Sequence, residues 1–391
     1  MRRGAFIAVG FVFLAMAICS PCAWGADNVI KVGFDISLTG DKPKVGEVSK
    51  YTAEMFKDEI NKAGGVKVGD KTYQLDFIYE DSESKAESAT AAALKLITQD
   101  EALAIIGPQA SVEAVPAGEV CNSNSTPMIS PWSTNPDTTK DRPYVFRACF
   151  LDPFQGPVAA NFATDELKAK KAAVLYDIAS DYPKGLAEFF KAAFEKIHGP
   201  GSVVAFETFT TKDTDFSAQL TKIKNSDADV LFLPQYYSEV ALIVKQAHEL
   251  GWHKPIMGSD SWGSADLMNL CGDDCKGLYF STHYAAAGAK GATKEFIDKF
   301  QAKYGYVPDD VGALTWDAMG ILVQAIKNTG GLTGKIDKDR EAIKDQLAKI
   351  KDYEGITGKM TFTPEGDPIK CAVIVKISDK GEFEFFKSVC P

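Results

Sequence analysis

The chain has four histidines and none of the catalytic signatures that would use them. There is no HExxH zinc motif and no P-loop, and Gly258-Ser259-Asp260-Ser261-Trp262-Gly263 has the wrong spacing for a serine-hydrolase elbow. His248 and His253 stand five apart across a helix end, so they do not share a face. Beyond the first 25 residues there is no CxxC pair, and the cysteine spacings do not match zinc ligation. Positive charge is also scarce. Lys and Arg total 43 against 53 Asp and Glu, a net charge of −10, which argues against nucleic acid or an anionic membrane surface as partner. Gly/Pro-rich linkers, short-period repeats and low-complexity tracts are missing too, so the chain does not read as beads on a string. Past the leader no apolar run is long enough to span a bilayer.

The leader itself is present. Arg2 and Arg3 open it, Ala5 to Ile18 is an apolar run too short to span, and Ala23-Trp24-Gly25 supplies small residues where a signal peptidase cuts. Residues 1–25 are therefore expected to be a cleaved export signal, and the protein to be soluble in a bacterial periplasm. Cys19 and Cys22 leave with the leader; Ile18 and Pro21 stand where a lipidation site wants a small residue. Six cysteines remain in an oxidising compartment. Cys371 and Cys390 are centred on Lys380-Gly381, so a two-residue hairpin turn there would set them opposite each other. Cys271 and Cys275 bracket Gly-Asp-Asp and can close a small loop. Elimination then pairs Cys121 with Cys149.

Apolar strands and amphipathic helices alternate from Val29 to Met257. Examples are Val29–Ile36 then Gly46–Ala63, Ala102–Ile106 then Ser111–Cys121, Ala172–Tyr176 then Gly185–His198, and Val230–Leu233 then Glu239–Leu250. Such alternation predicts an α/β class, with doubly wound parallel sheets covered by helices on both faces. The length favours two lobes. Near the end the order changes: helices at Thr293–Tyr304, Val311–Asn328 and Arg340–Ile350 precede strand-like runs at Lys359–Thr363, Ala372–Ile377 and Glu382–Ser388. That order predicts a chain that crosses between lobes more than once. The expected division is 26–147 plus 284–356 for one lobe and 148–283 plus 357–391 for the other, with crossovers near Arg147–Asp152, Ser281–Tyr284 and Ile356–Gly358.

Two strand ends carry the chemistry. Ile105-Ile106-Gly107-Pro108-Gln109-Ala110-Ser111 and Pro127-Met128-Ile129-Ser130-Pro131-Trp132-Ser133-Thr134 are short apolar strands that stop in small and hydroxyl residues. A strand end that opens a helix offers hydroxyls and free N–H groups to a carboxylate. Ser111 would serve there as ligand, helix cap or both. Asp260 lies just past a third strand end, where an Asx-turn or cap is the simpler role. Trp132, Tyr182, Tyr236, Tyr237 and Trp262 all fall in loops past strand ends, which suggests an aromatic-walled cleft.

These residues in this order resemble the type I periplasmic binding proteins of ABC importers, in the branched-chain amino acid (Leu/Ile/Val) class. The resemblance is carried by Ile30-Lys31-Val32-Gly33-Phe34, Asn61-Lys62-Ala63-Gly64-Gly65, Tyr79-Glu80-Asp81, Ile105-Ile106-Gly107, Pro127-Met128-Ile129-Ser130-Pro131, Asp152-Pro153-Phe154-Gln155-Gly156 and Met257-Gly258-Ser259-Asp260. It implies that Ser111 and Thr134 hold a ligand α-carboxylate, and that the Trp132 carbonyl and Asp260 receive the α-ammonium. It also implies that Tyr182 and Tyr236 come from the second lobe. Val45 stands at a position that is aromatic in some leucine-binding members.

The expectation is a receptor that closes two lobes on an apolar or aromatic L-amino acid and hands it to an inner-membrane ABC permease, as a monomer and with no cofactor or metal. The expected ligand contacts are Ser111, Trp132, Ser133, Thr134, Tyr182, Tyr236, Asp260 and Trp262. A ligand without an ammonium, such as an aromatic carboxylate or a small amide, is the alternative. An exported α/β enzyme ranks below both for want of a nucleophile–base pair. A sensory domain is not expected, because no signalling module follows the last strand.

Overall fold

The computed structural model describes residue 1, residues 28–264 and residues 266–391. The expected export signal, with Cys19 and Cys22, lies outside the described residues apart from Met1.

The first sheet begins with β1 (Val29–Ile36), followed by α1 (Pro43–Lys62), β2 (Val66–Val68), β3 (Lys71–Asp81), α2 (Ala86–Thr98), β4 (Ala104–Ile106), α3 (Ser111–Ser123), β5 (Met128–Ser130) and β6 (Val145–Arg147). Its strand order is β2-β3-β1-β4-β5-β6, parallel except for the β2–β3 pair. The chain then enters a second series: α4 (Asp152–Asp165), β7 (Ala172–Asp177), α5 (Asp181–His198), β8 (Val203–Phe209), α6 (Ser217–Asn225), β9 (Val230–Leu233), α7 (Tyr237–Glu249), β10 (Ile256–Gly258), α8 (Asp266–Cys271) and β11 (Tyr279–Thr282). Three helices follow, α9 (Gly291–Tyr304), α10 (Asp310–Asn328) and α11 (Ile336–Leu347), then β12 (Tyr353–Gly355), β13 (Gly358–Phe362), β14 (Pro368–Ile369), β15 (Ala372–Ile377) and β16 (Phe383–Val389). The second sheet runs β16-β15-β11-β10-β9-β7-β8, with β15 and β16 antiparallel at its edge.

Strands such as β4, β5, β7 and β9 are buried along their whole length. That is what a parallel sheet sandwiched between helices requires, and it explains their unbroken apolar runs. The late helices return to the first sheet. α10 packs on α1 so closely that a Cβ at Gly312 would lie 3.0 Å from Val48, and α9 joins α1 through the Tyr51–Tyr304 stack and the Lys299–Glu59 pair.

The run Lys359–Thr363 does not extend the second sheet. β13 pairs with β12 and β14 in a separate antiparallel sheet, which packs on the first lobe's β6 through Phe146 and Phe362. This patch anchors the crossings. Arg147, fully buried, donates to Asp367 at 2.6 Å, to the Ser133 and Asn135 carbonyls at 2.6 and 3.0 Å, and to Thr139 Oγ1 at 2.8 Å. Asp317 of α10 accepts from the Ile356 and Thr357 amides, and Lys370 donates to Thr357 Oγ1 and to the Ala148 carbonyl. The first and third crossings are thus tied by buried charges with nearly full hydrogen bonding, the form in which burial of charge is tolerated.

Among the described residues two cysteine pairs are bonded, Cys271–Cys275 and Cys371–Cys390. The second arises differently from the sequence expectation. The turn holds three residues, 379–381, closed by Ser378 and Glu382 with Gly381 at φ +78, and a bulge between Ile374 and Val375 restores the register that sets Cys371 beside Cys390. Cys121 and Cys149 are not paired, which corrects the pairing by elimination. Cys121 packs under α3 with Ala89, Leu96, Ile105 and Met128. The Cys149 thiol, beyond β6, donates instead to the Ser133 carbonyl. Both act as small apolar residues, and burial pushes the Cys149 thiol up to about 12.

Candidate functional site

Open parallel sheets place ligands outside the carboxyl ends of their strands. One cleft here is lined by Gln109, Ala110 and Ser111 after β4, Trp132 after β5, Tyr182 after β7, Tyr236 after β9, and Asp260 and Ser261 after β10. Its walls stand too close together to leave room for a water molecule. Four of these residues come from the first sheet's loops and four from the second's, so the cleft lies between the lobes. Three contacts cross it: Trp132 meets Tyr236 with ring centroids 6.0 Å apart, Asn135 Nδ2 donates to the Asp181 carbonyl at 3.1 Å, and the Lys42 ammonium lies over the Tyr236 ring. A larger, mostly apolar cavity of about 520 Å³ lies beside the second crossing between Phe280 and Val307. It is bordered by none of the cleft residues, and its polar lining is mainly acidic, so it lacks the donors an anion needs.

On the first lobe the β4–α3 turn depends on Gly107, whose φ is +103 and whose Cβ would lie 2.1 Å from the Asp35 carbonyl. No other residue fits there. Ser111 is the first residue of α3, and the cap position before it is Ala110, with no side-chain cap. The Ser111 hydroxyl therefore caps nothing. It shares a hydrogen bond with Ser133 Oγ at 2.8 Å, and Ser133 continues to Thr138 Oγ1 at 2.7 Å. Ser130 joins the two strand-end loops by donating to the Pro108 carbonyl and accepting from the Ser133 amide. The result is a buried hydroxyl row at the positive end of α3, an anion cradle.

On the second lobe the groups are acidic and acceptor-rich. Asp260, 1% exposed, accepts from Gln155 Nε2 and from the Tyr182 hydroxyl, each at 2.7 Å on Oδ1, while Oδ2 lies 3.3 Å from His283 Nε2. Burial holds the His283 imidazole down to about 4, so it is neutral at neutral pH and brings no positive charge to Asp260. Asp152, at the start of α4, is also buried; the Thr134 hydroxyl faces its carboxylate, but no well-aligned hydrogen bond reaches either oxygen. Burial, and then the charge of Asp260, push its carboxyl well above the usual range, against the pull of the Thr134 hydroxyl and Arg147. Burial likewise raises the Tyr182 and Tyr236 phenols, which stay protonated as donors.

Of the residues expected from sequence, Ser111, Trp132, Tyr182, Tyr236 and Asp260 line this one cleft. Ser133 stands one hydrogen bond behind Ser111, and Thr134 faces Asp152 at its edge. Trp262 does not reach it. Its ring is wholly buried behind Gly258, where a Cβ would lie 2.0 Å away, and its Nε1 donates to the Leu233 carbonyl at 3.0 Å. It supports the floor as core. Val45 is buried in α1 and is not among the lining residues. Sequence reasoning missed Gln109, Asp152, Gln155 and His283. Gln109 stands two residues before Ser111 at a strand end, which was a usable signal; Gln155 and Asp152 sit in a recognised motif without a role; His283 had none.

A hydroxyl row on one lobe opposite an uncompensated buried acid on the other defines a solute-binding cleft of the two-lobed kind. Residues 29–382 match the periplasmic binding protein family, and the chain belongs to it. Within it the chain is of the Leu/Ile/Val-binding protein type. It is 32% identical to Leu/Ile/Val-binding protein homolog 3 of Brucella melitensis, over 86% of this chain and 88% of that one. It is 28% identical to the leucine-, isoleucine-, valine-, threonine- and alanine-binding protein of Pseudomonas aeruginosa, over 91% and 92%. Among solved structures, leucine binding protein LivK of Thermotoga maritima superposes with TM-score 0.84 at 31% identity, covering 93% of this chain and 99% of that one. The branched-chain amino acid transporter substrate binding protein LivJ of Streptococcus pneumoniae, in complex with isoleucine, matches equally well at 33% identity, covering 93% and 100%. The family is one of periplasmic solute receptors. Among the described residues no helix is long and apolar enough to cross a membrane, and no cluster of three or more His, Cys, Asp or Glu is placed to hold a metal ion.

Proposed function

We propose that the protein captures an L-α-amino acid in the periplasm and delivers it, as a monomer, to an ABC permease of the inner membrane after removal of residues 1–25. One observation carries the reading: the two faces of the cleft have opposite needs. Ser111, Ser133, Thr134 and the amides opening α3 are donors seeking a carboxylate. Asp260, beside buried Asp152 and a neutral His283, is an anion seeking a cation. An α-amino acid supplies both from one carbon. Trp132, Tyr182 and Tyr236 form an aromatic wall for an apolar branched or aromatic body, and the names of the relatives point the same way.

Only the closed arrangement brings both faces to the ligand, so binding favours closure by the difference in contacts between open and closed states. Titration calorimetry against the twenty amino acids, with benzoate as an ammonium-free control, tests the proposal. Binding of at least one amino acid in the micromolar range or tighter is expected. Binding of benzoate alone would replace the reading with a carboxylate receptor.

A further inference from the structure

We infer that the ligand's side chain ends in an uncharged hydrogen-bonding group, and that Gln109 is the residue that selects it. The inference rests on the amino-acid reading above and changes one part of it, placing a polar end on the otherwise apolar side chain. Gln109 lines the cleft and has no solvent exposure. Its Nε2 donates to Ser49 Oγ at 2.8 Å, and Ser49 is held in turn by Thr315 Oγ1 at 3.1 Å. Its Oε1 has no partner. Turning the amide over exchanges which atom meets Ser49 and still leaves the other one unmatched. An amide held this way has one fixed end and one unspent end, on a residue that lines the cleft.

A wholly aliphatic ligand would close over that unspent end and bury it for good, which native interiors avoid. A site built around a buried hydrogen-bonding group discriminates strongly against ligands that leave it unpaired. The tip is uncharged because the charges at the cleft are already used: in the reading above Asp260 takes the α-ammonium, and burial raises the Asp152 carboxyl towards its neutral form. Lys42, over the Tyr236 ring, already stands 3.7 Å from Glu113, and that acid accepts from Ser37 and Ser82. The aromatic wall then holds the stem of the side chain, and Gln109 reads its end. Val45, away from the lining, does not set the selectivity.

The test uses two isosteric pairs, leucine with asparagine and valine with threonine, titrated calorimetrically into the exported protein and into Gln109→Leu. In the wild type, at least one polar member should bind about tenfold tighter than its aliphatic partner, the ratio one net hydrogen bond provides. In Gln109→Leu that preference should vanish or reverse. Gln109→Met, of similar length, repeats the measurement, and a thermal melt of each variant confirms folding. Aliphatic preference in both pairs, or a ratio unchanged in both variants, overturns the inference while leaving the amino-acid reading intact. Failure of every amino acid to bind overturns both.

Discussion

Asp260→Asn separates the roles of charge and shape at the centre of the cleft. The substitution keeps the size of the side chain and an oxygen to accept from Tyr182 and Gln155, both at 2.7 Å. The new amide hydrogens meet His283 Nε2, which can turn acceptor because Nδ1 has no partner and is free to carry the proton. The protein should therefore lose little stability. It should gain some, because Asp152 and Asp310 are both raised by burial and, further, by the charge of Asp260. Ligand affinity should move the other way. A hydrogen bond to a charged group contributes about 1.5–3 kcal/mol, so loss of the charge that meets the α-ammonium should weaken an amino acid about 10- to 150-fold. The decisive assay is a cycle: the amino acid and its α-hydroxy acid, each titrated into wild type and Asp260→Asn. The hydroxy acid should bind poorly to the wild type and lose nothing further in the variant. An amino acid affinity within threefold of wild type, with the fold intact by thermal melt, would refute the zwitterion clamp.

Ser111→Ala should leave the Ser133–Thr138 bond in place and weaken a carboxylate ligand by about 1–2 kcal/mol, fivefold to thirtyfold, read by the same titration. Stability against pH should carry the mark of His283. Its folded pKa of about 4 lies below its ordinary 6.5, so its stabilising effect is full above pH 6.5 and lost as pH falls towards 4; an order-of-magnitude loss of about 3 kcal/mol follows. Raised carboxyls such as Asp35 and Asp152 act in the opposite sense, since acid relieves them. His283→Phe should therefore gain on wild type as pH falls from 7 to 4.5, and a constant difference in Tm across that range would exclude the assignment. Loop-closure entropy ranks the disulfides: Cys371–Cys390, spanning 19 residues, should contribute roughly 3 kcal/mol and Cys271–Cys275, spanning 4, roughly 2. Urea unfolding of the two Cys→Ser pairs checks the order.

The periodicity and the strand ends made most of this fold legible. β1 and β9 have the bounds read from sequence, and the cradle of Ser111 and Ser133 was visible as hydroxyls after short apolar runs, because burial on both faces of a parallel sheet leaves an unbroken apolar signature. α4 escaped notice for a physical reason. Pro153, Gly156 and Pro157 interrupt the pattern that marks a helix, yet the first proline sits in the opening turn, where its missing N–H costs nothing, and Gly156 allows α5 to approach to 2.6 Å of a hypothetical Cβ. α5 likewise starts at Asp181, ahead of Pro183, which puts Tyr182 on a helix rather than in a loop. Trp262 was misplaced because position along the chain says that a residue follows a strand but not which side of the sheet end it packs; Gly258 made room for the indole in the core. Cys121 and Cys149 were paired by count alone, and count carries no geometry.

The partners of Asp260 show why such a cleft resists reading from any single motif. Its carboxylate is held by Tyr182 from α5, Gln155 from α4 and His283 beyond β11, three elements spread over 128 residues of sequence. Each alone has an ordinary structural role, and only the fold brings them to one oxygen pair. Their donors satisfy the carboxylate without neutralising it: two are uncharged amide or phenol groups and the third is an imidazole that burial keeps neutral. None of them brings the acid a counter-charge, and in a water-poor cleft charge–charge attraction is stronger than at a surface. Arg147 and Lys370, the buried cations nearby, are already committed to the crossings. In the proposed function the charge that completes the site comes from the ligand, and the contact that neutralises Asp260 draws the second lobe onto the cradle of the first.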